Sequence, residues 1–169
     1  YASTNNFMRS KFYKNERAFF NVSAADRLIE AKNDLKELGY GIIIYDAYRP
    51  WFVTKMFWEG TPENLKHFVA NPENGSSHNK GCAIDIGLYD IETGESIVMI
   101  SGYDEFTERA YPNYMGGSKK QRDIRDMLIQ VMERNDFTVY EYEWWHFNYN
   151  GCDSGIMNYS FEELDSISS

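Results

Sequence analysis

The stretch GCAIDIGLY, residues 81–89, alternates apolar side chains with small or polar ones at the two-residue period of a β-strand. Its apolar face consists of Cys82, Ile84, Ile86 and Leu88. Its second face consists of Ala83, Asp85, Gly87 and Tyr89. We therefore predict a strand that packs one face on the core and carries a carboxylate, Asp85, on the other.

A helix, a second strand and another helix are predicted before this stretch. SAAD, which begins at Ser23, has the spacing of a capping box, and Gly39 is placed to end the helix. Apolar residues recur between them at helical spacing, at Leu28, Ala31, Leu35 and Leu38. YGIIIYDAY, residues 40–48, is a β-branched run, and Pro50 is placed to start a helix through residues 51–58.

Turn and strand signals follow the stretch. ETG at 92–94 predicts a turn into a strand SIVMI, residues 96–100, which would form a hairpin with residues 81–89. FTVYEYEWWHF, residues 137–147, predicts one further strand.

A helix is predicted between them. Ser118 and Gln121 have the spacing of a capping box, and the helix should run to about Asn135. Its apolar side consists of Ile124, Met127, Leu128 and Val131. Because hairpins and helices mix without regular alternation, we predict an α+β fold with a largely antiparallel sheet and packed helices.

Composition limits the classes of function. The 169 residues, 43% of them hydrophobic, suit a single domain, 1–169, with a real core. A formal net charge of −9 argues against nucleic acid as a partner, because phosphate binding needs clustered Lys and Arg. No stretch approaches the roughly 20 apolar residues that span a bilayer, so we expect no membrane span. Oligomeric state stays open.

The first residue and the cysteines bear on localisation. The chain opens at Tyr1 instead of Met, so we expect that an upstream segment is missing and that it held any signal peptide. Cys82 is expected in the core as a small apolar residue. Whether Cys82 and Cys152 have the geometry for a bridge cannot be read from sequence, so the redox compartment stays open.

The side chains with the clearest chemistry fall in two segments, SSHNKGCAID at 76–85 and EYEWWHF at 141–147. His78, Asp85 and His146 are ligand types that suit zinc, and three protein ligands leave one position for water, as a catalytic site needs. Glu143 would act as general base on that water. This combination predicts amide hydrolysis with one Zn²⁺ per chain.

The spacing of Glu143 and His146 raises a geometric difficulty. On a regular strand these two side chains point to opposite faces, so both can reach one site only if the chain is irregular at WW. We predict such an irregularity. Trp144 and Trp145 themselves are expected in the core and the pocket wall.

These motifs resemble a known family. SxHxxGxAxD from Ser76 to Asp85, followed by ExWWH from Glu143 to His146, resembles the zinc D-alanyl-D-alanine dipeptidases of the VanX type. Shorter segments fall in the same order along nearly the whole chain, namely YASTNNF, YDAYRP, LYDIETGE, GYDEFTE and NYSF.

The resemblance implies a hedgehog/D,D-peptidase type of fold, zinc on His78, Asp85 and His146, and Glu143 as catalytic base. Arg49, in YRP, would match the family arginine that stabilises the tetrahedral intermediate. Substrate contacts are expected from Asp104, which would receive the free ammonium, and from Tyr1 and Ser76. The partner would be a small dipeptide. We expect a bacterial protein of the cell envelope or the cytoplasm, and favour the periplasm.

Several alternatives stay open. Asp104 alone could be a loop cap, and Arg49 could simply pair with an acid such as Asp46. A D,D-carboxypeptidase or related peptidoglycan peptidase would carry the same centre but trim longer stem peptides through an open cleft. A zinc-bearing binding module without catalysis would need neither Glu143 nor Arg49.

Overall fold

The computed structural model describes residues 1–167 and is built on a four-stranded antiparallel sheet of order β1-β2-β4-β3. The strands are β1 Tyr40–Asp46, β2 Ala83–Asp90, β3 Phe137–Tyr140 and β4 Glu143–Tyr149. Four helices accompany them, which are α1 Val22–Glu37, α2 Trp51–Gly60, α3 Lys119–Arg134 and α4 Phe161–Ile167. Short 3-10 helices span Glu63–Phe68, Ser77–Lys80 and Glu108–Ala110. The predicted α+β class with an antiparallel sheet is confirmed.

The predicted strand at residues 81–89 is the centre of the sheet, because β2 pairs with β1 on one side and with β4 on the other. Helix α1 packs against β1 and α3, and α3 packs against β3 and β4. The resulting core buries Ile84, Ile86 and Leu88 of β2 with Leu35 of α1 and Leu128 of α3.

The second face of β2 is covered as well. The ring of Tyr45 lies so close to Gly87 that a Cβ added there would stand 2.3 Å from the tyrosine hydroxyl oxygen. A glycine is therefore needed at this close approach. Asp85 is 2% exposed, so the predicted carboxylate face belongs to the protein interior.

A second, smaller apolar cluster joins the two ends of the chain to α2. Its buried members are Tyr13, Tyr48, Val53, Phe57 and Phe161. Tyr13 stacks on Phe161 with ring centroids 4.2 Å apart. The N-terminal segment and α4 are thus fixed beside the helix that follows β1. In residues 1–167, no helix has the length and apolar character needed to cross a membrane.

Helix boundaries follow the sequence signals with one correction. The capping box predicted at Ser23 is wrong, because the side chain of Asn21 accepts hydrogen bonds from the backbone N–H groups of Ser23 and Ala24. Asparagine two residues earlier supplies the cap equally well. Gly39, at φ +88°, follows the end of α1 as predicted. The capping box of Ser118 and Gln121 starts α3 as predicted.

The hairpin predicted between residues 81–89 and SIVMI is wrong. The predicted turn forms, and the N–H of Asp90 donates to the carbonyl of Glu95 and the N–H of Ile97 to the carbonyl of Leu88. The pairing ends at an isolated bridge between Tyr89 and Ser96, and residues 97–100 form no strand. Further along, the carbonyl of Met99 accepts a hydrogen bond from Gln121 Nε2, and the carbonyl of Ile100 accepts one from Arg109. Side chains therefore satisfy the backbone groups that a strand would have used in a ladder.

The single strand predicted for residues 137–147 is also wrong, because the chain turns back after Tyr140 and forms the hairpin of β3 and β4. The turn carries no glycine or asparagine, so the usual hairpin signal is missing. The predicted irregularity at WW is confirmed. Val139 pairs with Phe147, and the next residue of β3, Tyr140, pairs with Glu143. Residues 144–146 of β4 are therefore extra residues without a pairing partner in β3.

A disulfide joins Cys82, at the start of β2, to Cys152, after β4, with Cα atoms 5.8 Å apart. Beyond it the chain runs back across the 3-10 helix Ser77–Lys80. The N–H of Met157 donates to the carbonyl of Asn79 at 2.9 Å, and the N–H of Trp51 donates to the carbonyl of Met157 at 3.2 Å. The disulfide thus fixes the start of a segment that braces this short helix.

Loss of the disulfide should destabilise the protein. The two cysteines are 70 residues apart, and closing a loop of this length is worth about 4 kcal/mol in the chain-entropy model. We expect Cys152→Ser to lower the free energy of unfolding by roughly 2–4 kcal/mol, measured by urea denaturation without reductant. Added reductant should destabilise the wild type and leave the variant unchanged. Coincident wild-type curves with and without reductant would contradict the bridge.

Candidate metal centre and active site

Three side chains from separate elements converge at one end of the sheet. His78 lies in the 3-10 helix Ser77–Lys80, Asp85 lies in β2, and His146 pairs directly with Asp85 across β2 and β4. Asp85 Oδ1 lies 3.3 Å from His78 Nε2 and 3.1 Å from His146 Nδ1. The two imidazole nitrogens are 3.1 Å apart. The three atoms therefore form a nearly equilateral triangle.

The size of this triangle fits a tetrahedral metal ion. Zinc binds N and O ligands at about 2.0–2.1 Å, so two ligands of a regular tetrahedron lie about 3.3 Å apart. Moreover, Asp85 Oδ1 is buried and accepts no hydrogen bond among the described residues. A buried carboxylate oxygen without a donor is costly, and a cation held by the three atoms would remove that cost.

Outer contacts set the tautomer of each histidine. Nδ1 of His78 lies 2.6 Å from the carbonyl oxygen of Ala47, and Nε2 of His146 lies 3.1 Å from Asn148 Oδ1. Since both partners are acceptors, these ring nitrogens must carry the protons. His78 Nε2 and His146 Nδ1 then keep their lone pairs, which is the state a metal ligand requires.

The loop that carries His78 is fixed by its own polar side chains. Ser76 caps the short helix by accepting from the N–H of His78 at 3.2 Å, and the N–H of Ser76 donates to Asn79 Oδ1. Buried Asn79 also donates to the carbonyl of Arg49 and to Thr54 Oγ1, each at 2.8 Å. The ligand loop is thus joined to the start of α2. The predicted substrate contact of Ser76 stays a prediction.

A second irregularity of the sheet brings Asp46 to the site. Ile44 pairs with Ile86, but Asp46 pairs with Asp85, so Tyr45 is an extra residue in β1. The bulge turns Asp46 to the face that carries Asp85. A regular strand would have placed Asp46 opposite Ile84 instead.

Arg49 is buried against this carboxylate. Its Nε and one terminal nitrogen each lie 2.9 Å from Asp46 Oδ2, and the guanidinium lies over the ring of Phe57 at 4.7 Å. Burial acts to lower the pKa of Arg49, but Asp46 and the hydroxyls of Tyr1 and Tyr13 outweigh it and raise the pKa. The alternative pairing with Asp46 is therefore present, and it holds a charged guanidinium at the cavity wall.

Glu143 is the first residue of β4 and is 7% exposed. Its Oε2 lies 3.7 Å from His146 Nδ1. Burial and the carboxylates of Asp85 and Asp104 raise the pKa of Glu143 well above its ordinary value, although Arg49 opposes them. The irregularity of β4 is what brings Glu143 and His146 to the same cavity.

Asp104 lies on the loop after β2, in the left-handed region at φ +57°. Its Oδ2 accepts a hydrogen bond of 2.8 Å from the hydroxyl of Tyr1. Burial, followed by the charge of Asp85, raises the pKa of Asp104 to about 7. Asp104 is therefore a half-buried acid whose charge is costly, as expected for a group that receives a cation.

One cavity of about 200 Å³ collects all eight side chains that the sequence predicted as site residues. They are Tyr1, Arg49, Ser76, His78, Asp85, Asp104, Glu143 and His146. Aromatic walls complete the cavity, from Phe7, Phe57, Phe68, Phe106 and Tyr140. Trp144 and Trp145 are buried in the core as predicted, 1% and 0% exposed, but neither is among the described residues that line the cavity.

Sequence reasoning missed the outer contacts of the ligands. Asn148 follows His146 by two residues, so strand alternation places both on one face, and this signal was available. Tyr103, whose hydroxyl donates to Asp85 Oδ2 at 3.0 Å, and the carbonyl of Ala47 come from distant segments. No local pattern identifies either of them.

Removal of the Asp104 charge should stabilise the protein above neutral pH. The pKa of Asp104 is about 7 in the folded protein and has an ordinary value of 3.8 in the unfolded chain. As pH rises, Asp104 therefore ionises in the unfolded chain first. The folded protein loses stability relative to the unfolded chain until pH exceeds about 7. Between pH 5 and 8 the stability of Asp104→Asn relative to wild type should rise by about 2–3 kcal/mol.

The measurement is urea denaturation of chelator-treated protein, because a bound cation would itself favour the carboxylate. Glu92→Gln removes an exposed charge from the turn after β2 and serves as the control. An equal pH response of Asp104→Asn and wild type would show that Asp104 ionises normally.

Comparison with known proteins identifies the family of the chain. The peptidase M15 model described as D-ala-D-ala dipeptidase matches residues 1–165. A D-alanyl-D-alanine dipeptidase of Enterococcus faecium is 32% identical in an alignment of 168 positions that covers 87% of this chain and 82% of the relative. The enzyme of that name from Escherichia coli K12 is 31% identical over 147 residues, which cover 87% and 75%.

A solved structure supports the fold. The LdcB LD-carboxypeptidase structure superposes with a TM-score of 0.51 at 19% identity. The match covers 83% of this chain and 65% of that one. At this identity the likeness concerns the fold alone. Given the family match and the bacterial relatives, the chain belongs to the D-ala-D-ala dipeptidase family and is a hydrolytic metallopeptidase.

Proposed function

We propose that this protein hydrolyses the dipeptide D-alanyl-D-alanine to free D-alanine with one zinc ion per chain. The observation that carries the proposal is the meeting of a metal-ligand triangle, a buried glutamate, a buried arginine and a half-buried aspartate in one cavity of about 200 Å³. The names of the relatives in Enterococcus and Escherichia supply the substrate.

His78, Asp85 and His146 would hold the metal ion. When bound, zinc polarises a carbonyl group and lowers the pKa of water to about 7. Other divalent ions can substitute, because affinity order alone does not select zinc. The imidazole and carboxylate ligands favour zinc over magnesium or calcium, which prefer oxygen ligands.

Glu143 acts as the general base and then the general acid of the proposed reaction. Its position 3.7 Å from His146 Nδ1 places the carboxylate beside the ligand triangle but outside it. Because burial raises its pKa, the carboxylate is a stronger base than an exposed glutamate. We assign to Glu143 the acceptance of a proton from the attacking water and its transfer to the amine that leaves.

Arg49 stabilises the charge that develops on the substrate carbonyl oxygen. Asp46 holds Nε and one terminal nitrogen of the guanidinium, so the group is oriented before the substrate arrives. A fixed, buried cation near a developing oxyanion is worth several kcal/mol in a site with little water. Its pairing with Asp46 thus supports the proposed role.

Asp104 and Tyr1 recognise the free amino end of the dipeptide. The carboxylate of Asp104 would bind the ammonium group, and the Tyr1 ring closes that end by packing on Phe57, with centroids 4.7 Å apart. Phe7 packs on Phe106 beside them at 4.8 Å. This aromatic wall beside Asp104 favours a dipeptide over the longer stem peptides that a carboxypeptidase must admit.

Ser76 is assigned to the other end of the substrate. Its Oγ accepts from the N–H of His78, which leaves its hydroxyl proton to donate. It lines the cavity together with Ser77. Hydroxyl donors suit a terminal carboxylate.

Catalysis should depend on the metal and on Glu143 separately. We expect wild type to release D-alanine from D-alanyl-D-alanine, a chelator to abolish this release, and added Zn²⁺ to restore it. Glu143→Ala should lower kcat by about 10²–10⁴-fold because the proton acceptor is lost. Its zinc content, measured by elemental analysis, should match wild type. Absence of D-alanine release by zinc-loaded wild type would exclude the proposed activity.

Recognition of the amino end should separate a dipeptidase from a carboxypeptidase. N-acetyl-D-alanyl-D-alanine lacks the ammonium group, so Asp104 would face an uncharged, bulkier group, and kcat/KM should fall by at least about 10³-fold. Asp104→Asn should raise KM for the free dipeptide. It should also lower the ratio of kcat/KM for the free dipeptide to kcat/KM for the N-acetylated one. Comparable hydrolysis of both substrates by wild type would favour the carboxypeptidase alternative.

A further inference from the structure

The two oxygens of Asp85 have different surroundings. Oδ1 faces the imidazole nitrogens of His78 and His146 and accepts no hydrogen bond among the described residues. Oδ2 accepts a hydrogen bond of 3.0 Å from the hydroxyl of Tyr103. The nearest guanidinium nitrogen, on Arg49, lies 3.9 Å from the same Oδ2. One oxygen is thus left for a metal ion while the other is occupied.

Aromatic packing fixes the position of Tyr103. Its ring stacks on Tyr45 with centroids 4.4 Å apart and an interplanar angle of 21°. The Tyr103 ring also meets Trp145 edge to face, with ring centroids 5.6 Å apart and an interplanar angle of 75°. Tyr1 lies on a further side at 6.2 Å. Because rings enclose it on several sides, the hydroxyl has a defined direction.

The side chain of Tyr103 lies outside the wall of the substrate cavity. It is not among the described residues that line the cavity, whereas its neighbour Asp104 is. A change confined to the Tyr103 hydroxyl therefore leaves the cavity walls in place. This hydroxyl donates its hydrogen bond to Asp85, so its loss acts on the site through that carboxylate.

We propose that Tyr103 is a positioning residue whose hydroxyl restricts Asp85 to metal binding through Oδ1 alone and keeps Oδ2 from Arg49. The inference rests on the metal site of the proposed function. Without the hydroxyl, Oδ2 is a buried acceptor in need of a partner. It can turn toward the metal, which makes the carboxylate bidentate, or toward Arg49, which draws the guanidinium away from Asp46.

Tyr103 therefore couples two parts of the site. A carboxylate that binds through Oδ1 alone would leave one position of a four-coordinate ion open, which hydrolysis requires. The guanidinium stays on Asp46 and remains directed at the cavity. The same loop places Asp104, one residue later, for the amino end of the substrate.

The test compares Tyr103→Phe with Tyr45→Phe. Both variants lose one hydroxyl from the same stacked pair and keep both rings, but only the Tyr103 hydroxyl bonds to Asp85. Zinc affinity is measured by competition with a chromophoric chelator. We expect Tyr103→Phe to bind zinc about 10–100-fold more weakly than wild type, as for loss of other partners of metal ligands. Tyr45→Phe should bind zinc as wild type does.

A spectroscopic readout distinguishes positioning from loss of stability. With Co²⁺ in place of zinc, the visible absorption weakens when coordination rises from four to five. Tyr103→Phe should show a changed cobalt spectrum, and Tyr45→Phe should show the wild-type spectrum. Thermal unfolding of the metal-free proteins verifies that both variants are folded.

Unchanged zinc affinity and an unchanged cobalt spectrum in Tyr103→Phe would overturn the inference, even if activity fell. An equal loss of affinity in both variants would also overturn it, because the effect would then come from the stacked pair and not from the bond to Asp85. If wild type binds zinc but releases no D-alanine, the proposed function fails while the role of Tyr103 is still decided by these two measurements.

Discussion

The pairing of Asp85 with His146 across β2 and β4 is the constraint on which the site depends. Neighbouring residues of an antiparallel pair share a face and a short separation, so strand pairing itself sets two of the three candidate ligand atoms at 3.1 Å. The third candidate ligand, His78, lies on a short capped helix immediately before β2. The remaining side chains of the site are then brought in by two departures from regular sheet geometry, one in β1 and one in β4.

Charge explains why these buried groups occur together. Four carboxylates, from Asp46, Asp85, Asp104 and Glu143, lie near the guanidinium of Arg49, the one Arg or Lys side chain among the described residues that line the cavity. Burial, followed by the repulsion of neighbouring carboxylates, raises the pKa of Glu143 and of Asp104. A divalent cation and a substrate ammonium group would bring the missing positive charge. The cation and the ammonium group would therefore neutralise the excess negative charge of the site. In the metal-free protein the same charge lowers stability.

The sequence predicted the parts of this structure that depend on local pattern. The central strand, α3 with its cap and the irregularity near Trp144 were accessible, because alternation and capping spacing are properties of adjacent residues. Ligand type also singled out His78, Asp85 and His146, the three side chains that the fold brings together. The remainder depends on contacts between distant segments. Gln121 and Arg109 take the carbonyl groups that a strand at residues 96–100 would have used, and the turn before Glu143 has no glycine. Tyr103 reaches Asp85 from a loop whose position only the folded chain defines.

The central claim is that two imidazoles and one carboxylate hold a single zinc ion in a tetrahedral site with one open position. X-ray absorption at the zinc edge of the loaded protein tests it most directly. The account predicts four light-atom neighbours at about 2.0–2.1 Å, with the outer scattering of two imidazole rings and no sulfur. A sulfur neighbour at about 2.3 Å, or six oxygen neighbours without imidazole scattering, would contradict it.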